Sequence, residues 1–151
     1  MNYWYINTEA NDFEGESPDA KWFTHGRAFV SGKEGVNAEK FARKLHQLQR
    51  GDIVFMYANI EGVVAVGTVL ERCDKQPAKC PLVYCLPRHA KEKVQEYQAK
   101  VDWSPRLRDP ISPNQVRAIT GSFGRQAIQR IADPVAAEAL RAHALQQTER
   151  E

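Results

Sequence analysis

The sequence lacks the long apolar segments that mark membrane and exported proteins. No run approaches the ~18 consecutive apolar residues that a membrane-spanning helix needs. The opening residues, MNYWYI, have neither the basic region nor the long apolar region of a signal peptide. Cysteine is scarce, at three residues, and an odd number without an export signal indicates free thiols. We therefore expect a cytoplasmic protein with unpaired cysteines.

Motifs of the common enzyme classes are missing as well. The sequence has no P-loop, no G-x-G-x-x-G and no G-x-S-x-G motif. Its four histidines stand in unrelated contexts and five of its 19 acids gather in one polar stretch, and neither a nucleophilic triad nor a catalytic carboxylate pair can be assigned. The spacing of Cys73, Cys80, Cys85 and His89 matches no standard zinc pattern. These absences favour a binding module without metal or cofactor over an enzyme.

The sequence does have a sharp charge asymmetry within the length of one domain. Its 151 residues suit a single compact domain, with a frayed tail expected at 147–151. Residues 1–20 carry a net charge of −5 and residues 21–50 a net charge of +5, although the whole chain is only +2. Such a basic block is typical of a surface that faces an anion, and also of a solvated helix face.

Strand patterns dominate the first two thirds of the chain. Strands are predicted over residues 3–8, 28–31, 82–86 and 97–103, with Gly32 ending the second. The apolar runs 53–58 and 63–70 predict an antiparallel hairpin that is covered on both faces. Gly67 inside this hairpin predicts a bulge, a barrel corner or the close approach of another group. A helix is predicted from Asn37 as N-cap, with an apolar face over 38–48 and Gly51 as its ending glycine.

The last third of the chain is predicted to be helical. Pro105, Pro110 and Pro113 predict a stiff loop after the last strand. Helices are expected from Ser112 to about residue 119, over 125–131, and from Asp133 to 146. Strands mixed with one early helix, followed by further helices, predict an α+β fold with a strongly bent sheet or a partly closed barrel.

Two features of the sequence suit contact with nucleic acid. The turn at residues 121–124, GSFG, followed by Arg125, is either a plain turn or one that directs backbone N–H groups to a phosphate, as GXXG turns between helices do. Trp22 follows an acidic stretch and precedes a polar one, so we expect it to be less buried than other aromatic residues. A ring beside a basic block can stack on a nucleobase while the cations contact phosphates.

Several segments resemble the EVE domain family. The opening YWYINTE of residues 3–9 is similar to the family's YW-x-x-K-x-E strand. LQRGDIVFMY at 48–57 and GVVAVGTV at 62–69 resemble its L-x-x-GD-x-VF-x-Y … G-x-VG-x-A/G-x-V hairpin. VDW at 101–103 resembles a later strand that ends in V-x-W, and residues 124–140 resemble the C-terminal helical stretch. The hairpin is the most specific of these segments.

The resemblance implies a PUA-like fold, a bent β-barrel with peripheral helices, and a function in recognition. EVE domains are similar to YTH domains, which hold a methylated adenine of RNA in an aromatic cage. The implied function is a reader that captures an extruded, modified nucleobase of DNA or RNA, with modified cytosine in DNA favoured. The alternatives are a PUA- or ASCH-like enzyme acting on a modified nucleoside or nucleic acid, and a protein-interaction domain that uses the C-terminal helices.

The resemblance also implies the residues of the site. Asn7 stands where EVE domains usually carry Lys, and an amide can still pair with a base edge. Trp22 or Phe29 would be the stacking wall, and the second tryptophan of the YTH cage is either missing or replaced by Tyr84 or Trp103. The predicted base-binding residues are Asn7, Trp22, Phe29, Val30, Ser31, Tyr57 and Trp103, and the predicted phosphate-binding residues are Arg27, Lys33 and Arg125.

Overall fold

The structure, a computed structural model, describes residues 1–7, 22–23, 26–33, 43–58, 61–71, 94–122 and 128–147. These residues contain the strands β1 (Tyr3–Asn7), β2 (Arg27–Lys33), β3 (Ile53–Ala58), β4 (Gly62–Glu71), β5 (Val94–Ile111) and β6 (Ile128–Arg130). They also contain the helices α1 (Pro113–Thr120) and α2 (Pro134–Gln146), and residues 22–23 and 43–46 are helical. No helix within these ranges is long and apolar enough to cross a membrane.

The strands form one mixed sheet in the order β2-β5-β4-β3-β1-β6. β1 runs parallel to β3, and every other neighbouring pair is antiparallel. The predicted hairpin is confirmed, because β3 and β4 pair antiparallel and both lie inside the sheet. The α+β class is confirmed too. Among the described strands β2 and β6 are the edges, so the order is open and lacks the closure of a complete barrel.

Alternation along β1 and β3 divides the interior into two cores. Both strands are buried along their whole length, and their side chains alternate between the two faces of the sheet. The tryptophan-side core includes Trp4, Ile6, Trp22, Leu45, Leu48, Val54, Met56, Tyr97 and Val101. The helix-side core includes Tyr3, Tyr5, Phe55, Tyr57, Leu107 and Ile111, covered by Val116 of α1 and Leu140 of α2.

β5 extends well beyond the predicted strand. The prediction that Pro105 and Pro110 lie in a stiff loop is wrong, because the strand continues through both. The pairing of β4 with β5 shifts register on either side of Ala65, between the partners Trp103, Arg106 and Ile111. Both prolines fall between these partners, and a residue without an N–H is tolerated where the ladder is interrupted. The same shifts let β5 contribute first to the tryptophan-side core and then to the helix-side core.

Both described C-terminal helices begin as predicted. Ser112 caps α1 and forms a capping box with Gln115, and Asp133 caps α2 by accepting a hydrogen bond from the backbone N–H of Val135. The predicted helix over 125–131 is wrong at 128–130, where β6 pairs with β1. The backbone of β1 would otherwise be unpaired on that side, and this tertiary pairing outweighs the local helical pattern.

Two glycine predictions need correction. The second strand does not end at Gly32, since β2 continues to Lys33. Gly51 does not end the early helix directly: the helix ends at residue 46, and Gly51 adopts a φ of 91° in the turn that precedes β3. Its N–H donates to the carbonyl of Val69, which ties this turn to β4. The N-cap Asn37 and the strand over 82–86 lie outside the described residues.

Candidate nucleic-acid interface

Two tryptophans from distant parts of the chain stack against each other. The ring centroids of Trp22 and Trp103 are 5.7 Å apart and their planes are inclined by 22°. Trp103 is only partly buried, and its indole N–H donates to the backbone carbonyl of Arg27 on β2 at 2.8 Å. Trp22 is 1% exposed, so the prediction that it is less buried than other aromatic residues is wrong. Its stacking on Trp103 and its place in the tryptophan-side core explain this burial.

Gly67 makes room for this stack. A Cβ atom at position 67 would lie 2.6 Å from Cγ1 of Val101 and 2.7 Å from Cε3 of Trp103. These distances are shorter than van der Waals contact, so only a residue without a side chain lets the Trp103 ring lie against β4. Of the three roles predicted for Gly67, close approach of another group is confirmed, and a register shift also occurs beside it.

A second contact joins the same two segments. The guanidinium carbon of Arg106 lies 4.4 Å from the ring centroid of Phe23, which is a cation–π geometry. Phe23 is partly buried against the tryptophan-side core, whereas Arg106 is exposed. Residues 22 and 23 are therefore attached to β5 through two consecutive aromatic side chains.

Three cations lie on the two strands beside these rings. Arg27 on β2 is the register partner of Lys100 on β5, and Arg106 follows further along β5. Arg106 contacts the Phe23 ring, whereas Arg27 and Lys100 alternate with the buried Ala28 and Ala99 and therefore face the other side of the sheet. Within the described ranges none of the three forms an ion pair, although Glu71 on β4 is the register partner of Lys100. We call Phe23, Trp103 and Arg106 together the aromatic–basic surface.

Asn7 and Tyr57 lie elsewhere in the fold. They are register partners at the ends of β1 and β3, and both are buried. Tyr57 belongs to the helix-side core, and the alternation of β1 places Asn7 on the same face as Tyr5. The structure therefore brings Asn7 to Tyr57, and Trp22 to Trp103 and Arg27, but it places these two groups on opposite faces of the sheet.

Tyr5 forms a hydroxyl network on the helix side. Its hydroxyl and the Thr120 hydroxyl are 2.6 Å apart, and Thr120 also donates to the carbonyl of Val116 at 2.9 Å. The Tyr5 ring packs edge-on against Tyr57, with centroids 5.9 Å apart. Burial raises the pKa of Tyr5 above its usual value. A phenol that stays neutral suits a structural hydrogen bond better than acid–base chemistry.

The remaining predicted site residues are described only in part. Phe29, Val30, Ser31 and Lys33 lie on β2, and the structure describes only their backbone, opposite residues 94–98 of β5. Arg125, Tyr84, the three cysteines and His89 lie outside the described residues. Among the described residues no group of three or more His, Cys, Asp or Glu could hold a metal ion.

Sequence reasoning missed Phe23 and Arg106. The prolines predict a loop around Arg106. The polar–apolar–polar order of Arg106, Leu107 and Arg108 is the pattern of a strand and could have pointed to it. Phe23 directly follows Trp22, and a pair of aromatic residues between polar stretches is a signal that could have pointed to it.

Comparison with known proteins shows the fold. No family model and no curated protein matches the sequence. Solved structures do match: the YTH domain of Toxoplasma CPSF4 at 13% identity and a TM-score of 0.62, covering 99% of this chain and 89% of that one. Human THYN1, in complex with DNA containing 5-methylcytosine, matches at 15% identity and a TM-score of 0.55. That match covers 99% of this chain and 100% of the THYN1 chain. A protein from Agrobacterium tumefaciens matches at 19% identity and a TM-score of 0.53, and the match covers 100% of both chains.

These similarities confirm the fold expected from the resemblance. The chain has the α+β PUA-like fold that it shares with YTH-type and THYN1-type domains. All of these identities lie far below the level at which function follows from similarity, so the comparisons show the fold alone.

Proposed function

We propose that this protein is an EVE-type reader that captures a modified nucleobase at its aromatic–basic surface. The observation that carries the proposal is the Trp22–Trp103 stack together with the neighbouring contact of Arg106 with Phe23, in which Arg106 makes no ion pair within the described part of the chain. Trp103 is the partly exposed member of the stack and offers ring surface to a base, while Trp22 supports it from the core. Arg106 would contact a phosphate on this face, and Arg27 and Lys100 would contact phosphates where the nucleic acid passes over the sheet edge at β2.

The energies of base capture are consistent with this arrangement. Extruding a base costs a few kcal/mol, and stacking on an aromatic ring returns ~1–3 kcal/mol. Stacking alone therefore does not give tight binding, and the phosphate contacts of the three cations must supply the rest. Burying one extra methyl group contributes about 1 kcal/mol, so a single methyl should improve affinity at least about fourfold.

The fold neighbours support the choice of ligand. Human THYN1 was solved with DNA containing 5-methylcytosine, and another neighbour is a YTH domain. Modified cytosine in DNA is therefore the first ligand to test, and a methylated adenine in RNA is the second. We also propose that the surface binds its ligand without transforming it.

A binding titration tests the proposal. Fluorescence anisotropy with matched single-stranded oligonucleotides, carrying cytosine or 5-methylcytosine in DNA and adenine or N6-methyladenine in RNA, should show tighter binding of one modified form. Arg27→Gln and Lys100→Gln should each lower the slope of log affinity against log salt by about 0.7, the value expected for one lost phosphate contact on a single strand. Arg117→Gln on α1, an exposed cation on the helix side, is the matched control and should leave the slope unchanged.

Two outcomes would contradict the proposal. If no oligonucleotide is retained at low salt, the protein-interaction alternative becomes the better explanation. If incubation with modified nucleosides or oligonucleotides yields a new product by mass spectrometry, the enzymatic alternative is correct.

Trp22→Phe, which keeps an aromatic ring in the core, should weaken binding of the modified oligonucleotide while near-ultraviolet circular dichroism still reports a folded protein.

A further inference from the structure

We propose that Phe23 and Arg106 form a second subsite, which holds the base next to the captured one; this inference rests on the proposed function. The guanidinium carbon of Arg106 lies 4.4 Å from the Phe23 ring centroid, and the Arg106 side chain is exposed. One side of the guanidinium is thus occupied by the ring, and the rest of the group faces solvent. A guanidinium is planar and weakly hydrated, so its open side can stack on a nucleobase.

The subsite lies beside the first along both segments that build it, one residue further at Trp22–Phe23 and three residues further at Trp103–Arg106. Trp22 and Phe23 are consecutive, and their partners Trp103 and Arg106 stand on either side of one register shift in β5. Both contacts join the same two segments of the chain, so two bases of one strand can meet them in order.

The charge of Arg106 fits the same role. Within the described residues no carboxylate forms an ion pair with its guanidinium. The Phe23 ring holds the group in place, which reduces the side-chain entropy that binding would otherwise cost. A phosphate contact alone would need neither the ring nor a planar cation, since a lysine serves that purpose as a point charge.

This arrangement specifies the class of nucleic acid. A neighbouring base can lie on Arg106 only if it has left its own stack and pairing partner. The subsite therefore favours a single strand, or a locally opened one, over an intact duplex with one extruded base.

Oligonucleotides with a missing neighbour test the subsite. Single strands with a central modified base are prepared complete, or with an abasic site directly 5′ or 3′ of that base. For the wild-type protein one of the two abasic sites should weaken binding about five- to fiftyfold, the range expected for one lost stacking contact. Arg106→Lys, which keeps the charge and loses the planar group, should weaken binding of the complete strand similarly and show no further loss with that abasic strand.

Further variants and controls separate this inference from the proposed function. Phe23→Leu should reproduce the effect of Arg106→Lys, with thermal unfolding confirming that it folds, and Arg117→Gln should behave as wild type with every strand. If the wild-type protein binds the modified strand but responds equally to both abasic sites, the subsite is refuted and the proposed function stands. Failure of the wild-type protein to bind any modified strand refutes both.

Discussion

Asp52 joins three parts of the chain through one buried carboxylate. It accepts hydrogen bonds from the backbone N–H of Asn2 at 3.0 Å, the indole N–H of Trp4 at 3.1 Å and the backbone N–H of Gln49 at 2.9 Å. The carboxylate thus fixes the start of β1, a core tryptophan and the turn before β3. These three hydrogen bonds explain the Gly-Asp pair before β3 in structural terms.

Asp52→Asn should destabilise the protein by about 2 kcal/mol, because one of the two oxygens becomes an amide group facing N–H donors. Urea denaturation followed by circular dichroism measures this loss. Asp102→Asn on the exposed side of β5 is the control and should change stability by less than about 0.5 kcal/mol. An Asp52→Asn variant as stable as this control would show that the three hydrogen bonds contribute little.

Tyr5 makes stability depend on pH in the alkaline range. Burial raises the pKa of its phenol, so the folded state favours the neutral form, whereas the unfolded chain ionises near pH ~10. The contribution of Tyr5 is therefore fully present below that pH and declines as pH rises above it. The Glu138 carboxylate, which accepts a hydrogen bond from the Tyr3 hydroxyl, raises the pKa of Tyr3 in the same direction.

Tyr5→Phe should reduce this alkaline loss of stability. At pH 7 the variant should be about 1 kcal/mol less stable, since one hydrogen bond to Thr120 is lost while Thr120 keeps its bond to Val116. Above pH ~10 the difference from wild type should shrink, because only the wild-type protein loses the Tyr5 contribution. Thermal unfolding between pH 7 and 11 measures both parts, and a constant difference across this range would contradict the expectation.

At the scale of elements, local signals predicted β1, β3, β4, α1 and α2 but not the extent of β5 or the existence of β6. The hairpin has a short connection and continuous apolar runs, and both helices have a capping residue followed by proline. β6 and the second half of β5 depend instead on pairing with strands far away in the chain. This pairing leaves no local pattern in the sequence. The prolines therefore predict a loop in the second half of β5, and the helical spacing predicts a helix at β6.

The candidate site was predictable only in part for the same reason. Trp22, Trp103 and Arg27 stand close together as expected, but the burial of Trp22 depends on a partner far along the chain. The resemblance predicts that Asn7 and Tyr57 share a pocket with Trp22 and Trp103. The alternation of β1 and β3 places Asn7 and Tyr57 on the opposite face of the sheet from the two tryptophans. Arg106 is not predicted as a site residue, because the prolines around it predict a loop where the structure has β5.

Gly67→Ala tests how β4 supports the indole stack. The added methyl group would meet the side chains of Val101 and Trp103, so we expect a loss of ~1–3 kcal/mol and a changed near-ultraviolet circular dichroism signal from the two indoles. Gly51→Ala is the matched control, since it has open space around the new methyl group but a φ of 91°. It should cost ~1–2 kcal/mol through backbone strain and leave the indole signal unchanged. Identical spectra for both variants would contradict the packing argument.

At the scale of the whole molecule, α2 closes the helix-side core. Ala137, Leu140 and Ala144 of this helix are fully buried against a core that also contains Tyr3, Leu107 and Ile131. The backbone N–H of Arg108 on β5 also donates to the carbonyl of Gln147, just beyond the helix. The C-terminal helix is therefore an integral part of the fold and is not an appendage to the sheet.

Truncation tests this integration. A chain ending at residue 133 should lose cooperative thermal unfolding and bind a hydrophobic dye, because removing α2 exposes the helix-side core. A chain ending at residue 147 should unfold like the full-length protein, because it keeps α2 and the hydrogen bond between Arg108 and Gln147. Cooperative unfolding of the shorter chain at an unchanged temperature would show that α2 contributes little to the core.

The position of β1 has a consequence for how the protein is made. β1 is synthesised before both of its partners, yet it lies between β3 and β6 and pairs with both. Its second edge finds a partner only after residue 130 has been synthesised. Until then the nascent chain exposes one unpaired edge of β1, and a chain that stops anywhere before β6 keeps that edge open to aggregation or to chaperone binding.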